Sequence, residues 1–262
     1  MNFNFKTETK NLISEIKAAD RKVIIVFLSV AVLQTISWYF TSRGFFRQNL
    51  VSFFPSDPNL PLIEYLYWFI GDFAMFFGMP LLIIKFLLKG NLPDFGIRIG
   101  DYKAGLTISG LFLIVMIIII WFVSPVQSFT ETYPHLKTAR TSWDVFLIYE
   151  TGMLLYMIGW EYIWRGFMLF GLEEKFGVYA VLIQMIPFLI LHNGKPFAET
   201  LGAIPGGIAL GILAFRTRSF IYCVLTHMGI MLSIDFISTL RFRAAEYGTG
   251  FDSLINILKS FF

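Results

Sequence analysis

The sequence predicts an all-α, polytopic transmembrane helical bundle, and three observations carry that prediction. Of its 262 residues, 56% are hydrophobic and only 15% are charged, against about 25% charged in soluble domains. So much apolar surface does not fit inside one aqueous core, which makes lipid the expected solvent. The apolar residues also run in continuous stretches near 23–42, 61–88, 104–124, 143–170, 177–192, 200–216 and 219–240. Most of these approach the ~20 residues that a helix needs to cross a bilayer. Between them lie breaks with turn chemistry, such as Pro55-Ser56-Asp57-Pro58, Asn91-Leu92-Pro93-Asp94 and Asn193-Gly194-Lys195-Pro196. About seven spans are expected.

Residues 1–22 read as a cytoplasmic amphipathic lead-in. The segment is too long and too acidic (Glu8, Glu15, Asp20) for the charged start of a signal peptide, so the first span is expected to be a retained anchor. Residues 23–124 supply the N-terminal spans. Lys and Arg are denser on the side of Lys6, Lys10, Lys17, Lys85, Lys89 and Lys175 than on the side of Arg43, Arg47, Lys137 and Lys195. That bias favours a cytoplasmic N-terminus by the positive-inside rule. The polar loop 125–142 follows, with His135 read as solvated surface. Residues 143–240 form the second half of the bundle. Residues 241–262 form an amphipathic tail, in which Phe251, Leu254, Ile255, Leu258 and Phe261 recur at helical spacing. An eighth helix there, interfacial or re-entrant, is compatible with that pattern.

Several function classes are excluded or unsupported. The net charge of +3 is small and its basic residues are dispersed, which gives nucleic acid no patch to bind. A single cysteine, Cys223, excludes an internal disulfide and a paired-cysteine metal site; within an apolar run it reads as a small core residue. The glycine-rich stretch 202–211 has no phosphate-loop lysine and reads as close helix packing. No HExxH motif occurs. No inverted repeat or pair of broken helices points to a transporter.

Charge inside a span costs several kcal/mol unless it is paired or wet, so Asp72, Glu150, Glu161, Arg165, His192, His227 and Asp235 are the candidates for chemistry. Glu161 and Arg165 stand four residues apart in Trp160-Glu161-Tyr162-Ile163-Trp164-Arg165, which puts carboxylate and guanidinium on one helix face. A buried ion pair alone satisfies that spacing; a carboxylate held ionised as a general base satisfies it too. His192 closes the following stretch. The midpoint between Glu161 and His192 falls near Gly177, and a hairpin folded there levels the two residues roughly 23 Å from the turn, at 1.5 Å per residue. His227 lies on the last span, and Asp235 follows eight residues later, about 80° around the helix.

These residues resemble the CAAX prenyl protease and bacteriocin-processing family (CPBP, also called Abi), whose members are intramembrane endopeptidases. The resemblance spans roughly 143–240, and Phe95-Gly96-Ile97-Arg98-Ile99-Gly100-Asp101 is similar to a membrane-edge segment of bacterial members. The family's first motif, Glu-Glu-x-x-x-Arg, aligns with Trp160, Glu161 and Arg165, so Trp160 stands where the first carboxylate belongs. Its second motif is met by Phe188 and His192. Its third is met by His227, with Met231 in place of a polar partner. Lys195, Glu199 and Asp235 are then the polar residues available to replace the missing groups.

The resemblance implies a bacterial membrane protease acting on a peptide or protein substrate, lipid-modified or not. Glu161, Arg165, His192, His227 and Asp235 would be its catalytic residues. Glu161 and His192 would activate a water, and His227 with Asp235 would stabilise the oxyanion. Glu161, His192 and His227 would also suit zinc with an open position; a metal-free glutamate–histidine pair is the alternative. The competing reading is a non-catalytic membrane binding, immunity or scaffold protein.

Overall fold

The computed structural model describes residues 4–259, which form ten helices and no strand among the described residues. Helix α1 (Phe5–Ala18) starts where the Asn4 side chain accepts the backbone N–H groups of Lys6 and Thr7. None of its residues is buried, and Phe5, Leu12, Ile13 and Ile16 stay exposed. Asp20 caps α2 (Arg21–Asn49) in the same way. Helix α2 breaks at Ser42, whose hydroxyl caps the second half by accepting from Phe45. Helix α3 (Leu60–Leu88) ends in a wide π turn closed by Lys89 in the left-handed region.

Helix α4 (Tyr102–Val123) is followed by the short α5 (Gln127–Thr132) within the loop 125–142. Helix α6 (143–176) is capped by Ser142, then passes through a π-helical stretch at Tyr162–Met168. Helices α7 (Tyr179–Ile190), α8 (Phe197–Thr217), α9 (Ile221–Ala244) and α10 (Phe251–Lys259) complete the chain. The seven apolar stretches of the sequence therefore all form helices. Five of them, α2, α3, α4, α8 and α9, are long and apolar enough to cross a membrane. Helix α6 is long enough but carries buried charge, and the twelve-residue α7 is shorter than a crossing. Helix α10 takes the place of the expected amphipathic tail helix; Phe261 lies outside the described residues.

This is an integral membrane protein by the way its surface is built. Along α4, Leu111, Ile114, Val115, Ile118 and Phe122 face outward with about half or more of their area exposed. Together with the exposed apolar faces of the other four long helices, this row makes an apolar surface larger than soluble monomers tolerate. Lipid offers no hydrophobic drive to bring helices together, so packing depends on small residues and polar contacts. Gly152 and Gly159, one heptad apart on α6, let α3 approach: a Cβ on Gly159 would meet the backbone of Asp72 and Phe73 at 3.1 Å. Between α7 and α8, the Gln184 amide donates to the carbonyls of Val181 and Gly207.

The Phe95–Asp101 segment, singled out in the sequence, sews α4 to the α8–α9 turn. Asp101 donates its backbone N–H to the Thr217 carbonyl at 3.0 Å, and the Tyr222 hydroxyl donates to the Ile99 carbonyl at 2.7 Å. Gly100, at φ +60°, is needed there because a Cβ would strike the Thr217 carbonyl oxygen at 2.0 Å. The hairpin turn between α6 and α7 lies at Gly177, where the spacing of Glu161 and His192 places it.

Candidate active site

Glu161 and Arg165 lie where α6 changes from α-helical to π-helical winding. Such widened turns recur at functional sites because they re-aim side chains. Both residues are fully buried, and Arg165 Nη1 donates to Glu161 Oε1 at 3.1 Å. The guanidinium also lies 4.0 Å from the centre of the Phe188 ring, a cation–π contact from α7. Arg165 Nε and Nη2 and Glu161 Oε2 have no hydrogen-bond partner among the described residues.

His227 on α9 completes the cluster. Its Nδ1 stands 2.6 Å from Glu161 Oε1. The carboxylate fixes which nitrogen carries the proton: Nδ1–H donates to Glu161, leaving Nε2 as the free lone pair. His192, in the turn after α7, is oriented similarly, with Nδ1 2.8 Å from the Phe188 carbonyl oxygen. It lies within electrostatic reach of Glu161. His192 and His227 both line a cavity of about 70 Å³ together with Trp160, Met231 and Lys195. Glu161 sits behind His227 and does not line this cavity.

His135 is the third histidine lining that cavity, so the solvated-surface reading of it is corrected here. Its loop is pinned down from two directions. The Tyr133 hydroxyl donates to Glu199 on α8, and Glu199 in turn holds Lys195 at 2.6 Å. The Arg140 guanidinium donates to the carbonyls of Thr130 and Tyr133. The His135 ring packs 4.8 Å from that of Tyr133. Burial, reinforced by the Lys195 charge, pushes the His135 imidazole down to about 4, which keeps it neutral at physiological pH. The sequence did carry one signal for this: an unbroken polar loop of that length inside a compact bundle is usually functional.

Asp235 is placed differently. It is fully buried and its carboxyl neighbours that of Glu150 on α6, while neither lines the cavity. Neither carboxyl has another hydrogen-bond donor among the described residues. Two acceptor-only groups in contact are satisfied by sharing one proton. Asp72 is absorbed by structure, accepting from Ser37 at 2.6 Å, Thr41 at 2.5 Å and the Trp68 indole at 2.7 Å. Cys223 is a core residue, with Sγ 3.1 Å from the Leu210 carbonyl oxygen.

The zinc donor set does not assemble in this geometry. Among the described residues no group of three His, Cys, Asp or Glu side chains is placed to hold a metal ion. Glu161 Oε1 is already shared by His227 and Arg165.

What the arrangement offers is a charged pair shielded from lipid, a histidine fixed by that pair, and two further histidines and a lysine around one small cavity. Neither the curated proteins nor the solved structures give a match to this chain. Residues 142–233, which carry Glu161, Arg165, His192 and His227, match the Rce1-like model, described as type II CAAX prenyl endopeptidase Rce1-like.

Proposed function

We propose that this chain is a membrane-embedded peptidase that hydrolyses a peptide bond with a water activated by a Glu161–His227 pair. The observation that carries the reading is the 2.6 Å contact between His227 Nδ1 and a fully buried, Arg165-paired Glu161. It has the logic of nucleophile-activating relays, in which a buried carboxylate orients an imidazole and stabilises its protonated form.

In this reading the roles differ from those the resemblance implied. Glu161 does not reach the cavity, so it acts through His227 and does not touch water itself. His227 Nε2 takes the proton of a water held between it and His192. The water oxygen bonds to the scissile carbonyl carbon. Lys195, which lines the same cavity, faces the developing oxyanion. When the carbon–nitrogen bond breaks, the protonated His227 returns its proton to the leaving amine. Asp235 has no place in this scheme.

The competing reading, a membrane binding or scaffold protein, draws on Trp160 and Met231, two apolar side chains lining a cavity where the family pattern has polar ones. Cleavage kinetics with Glu161→Gln, His227→Ala and the double variant separate the two. A relay predicts losses of at least ~100-fold for each single change and little further loss in the double, because the residues act as one unit. A binding protein shows no activity to lose.

A further inference from the structure

The cavity at the histidines is too small to hold a substrate. About 70 Å³ accommodates a few waters, whereas pockets that grip a ligand span ~300–1,000 Å³. A chamber of about 550 Å³, open on the side of Trp38 and Tyr39, adjoins it, lined by α2, α3, α6 and Leu191 after α7. Trp68, Tyr156, Trp160 and Leu191 line both spaces. The Trp68 and Tyr156 rings lie 4.9 Å apart, and Tyr156 stacks on Trp160 at 5.7 Å. These four side chains form a largely aromatic partition that both spaces border.

The partition is held rigidly. The Trp68 indole donates to Asp72, which is itself fixed by Ser37 and Thr41. Trp160 makes an edge contact with Trp164 at 5.8 Å and packs near Phe188 at 5.9 Å. A carboxylate at position 160 would be buried among these rings, at a cost of several kcal/mol unless paired. The indole fits the same wall without that cost. The chamber also holds a free acceptor: Gln34 lines it, and Gln34 Oε1 is buried with no hydrogen-bond partner among the described residues. Such an atom suits a peptide N–H.

We propose that this chamber is a substrate subsite, taking a large aromatic or aliphatic side chain of a peptide next to the bond being cut. Trp160 supplies the contact face and Gln34 accepts a backbone N–H. The inference rests on the peptidase reading. It explains Trp160 as a specificity residue facing the chamber instead of a lost catalytic acid.

The test uses the full-length protein in detergent and fluorescently labelled decapeptides that carry either Phe or Ala at one central position. Binding is measured by anisotropy in a Glu161→Gln background, and cleavage is followed in the wild type. The chamber is filled by Gly44→Trp, chosen because a Cβ at Gly44 meets only the Ser42 hydroxyl at 3.6 Å and the fold has room for it. The expected result is at least tenfold tighter binding of the Phe peptide, with that preference lost in Gly44→Trp at an unchanged melting temperature. A Phe preference that survives Gly44→Trp, or no preference at all, overturns the proposal. A protein that binds the Phe series but cuts nothing sinks the peptidase reading and keeps the chamber. One that cuts Phe and Ala peptides equally, with or without Gly44→Trp, keeps the peptidase and sinks the chamber.

Discussion

His227 and Arg165 converge on the same oxygen of Glu161, at 2.6 Å and 3.1 Å, while the second oxygen of that carboxylate has no partner among the described residues. One oxygen is thus committed to holding the relay together. Loss of Arg165 leaves Glu161 a buried charge with only a histidine beside it. Breaking a buried pair by removing one partner costs about 3–5 kcal/mol. Arg165→Met is therefore expected to lower the melting temperature in detergent markedly. Glu161→Gln/Arg165→Met, which removes both charges, recovers a substantial part of that loss. Equal instability of single and double variants would contradict the pairing.

The loop 125–142 is expected to loosen in acid. His135 titrates near 4 in the folded protein, against an ordinary 6.5, because burial and Lys195 disfavour its charged form. Between those values the unfolded chain binds a proton that the folded one does not. Stability from the neutral imidazole is therefore complete above about 6.5 and is lost as pH falls toward 4. Hydrogen exchange of residues 130–140, corrected for intrinsic rates, should speed up over that window in the wild type. His135→Gln should flatten the dependence, and Tyr133→Phe, which unties the loop from Glu199, should speed exchange at neutral pH. A pH-independent loop would contradict this account.

The contact between α3 and α6 is set by backbone approach, so it tolerates little added volume. At Gly159 a Cβ already meets backbone atoms at 3.1 Å, and backbone cannot rotate away as a side chain can. Overpacking costs about 1–3 kcal/mol where the surroundings can relax and more where they cannot. Gly159→Leu is expected to unfold at lower temperature and to disturb Trp160 and Glu161 next to it. By comparison, Gly110 has open space around its Cβ position, and Gly110→Leu should be nearly neutral. Similar melting temperatures for the two would refute the close approach.

The helices and the Glu161–Arg165 pair were legible because they depend on local regularities: apolar run length, turn residues and a four-residue spacing. The hairpin at Gly177 was legible by counting. Three features were not. The path of loop 125–142 is decided by Tyr133, Arg140 and Glu199 bonds that join residues up to 66 positions apart, and no periodicity announces them. Asp235 shares a broad helix face with His227, yet its neighbour is set by where Glu150 sits on α6, which is a matter of helix rotation. The aromatic partition draws Trp68 from α3 against Tyr156 and Trp160 from α6, a contact that only tertiary packing creates.

The most direct test of the central claim is cleavage of a broad peptide library by the purified protein. Wild type is compared with Glu161→Ala, His192→Ala and His227→Ala, each with and without a chelator. The account predicts cleavage by the wild type that all three substitutions abolish while the variants remain folded, and that the chelator leaves unchanged. Cleavage that persists in Glu161→Ala or His227→Ala, or a folded wild type that cuts nothing, would contradict it.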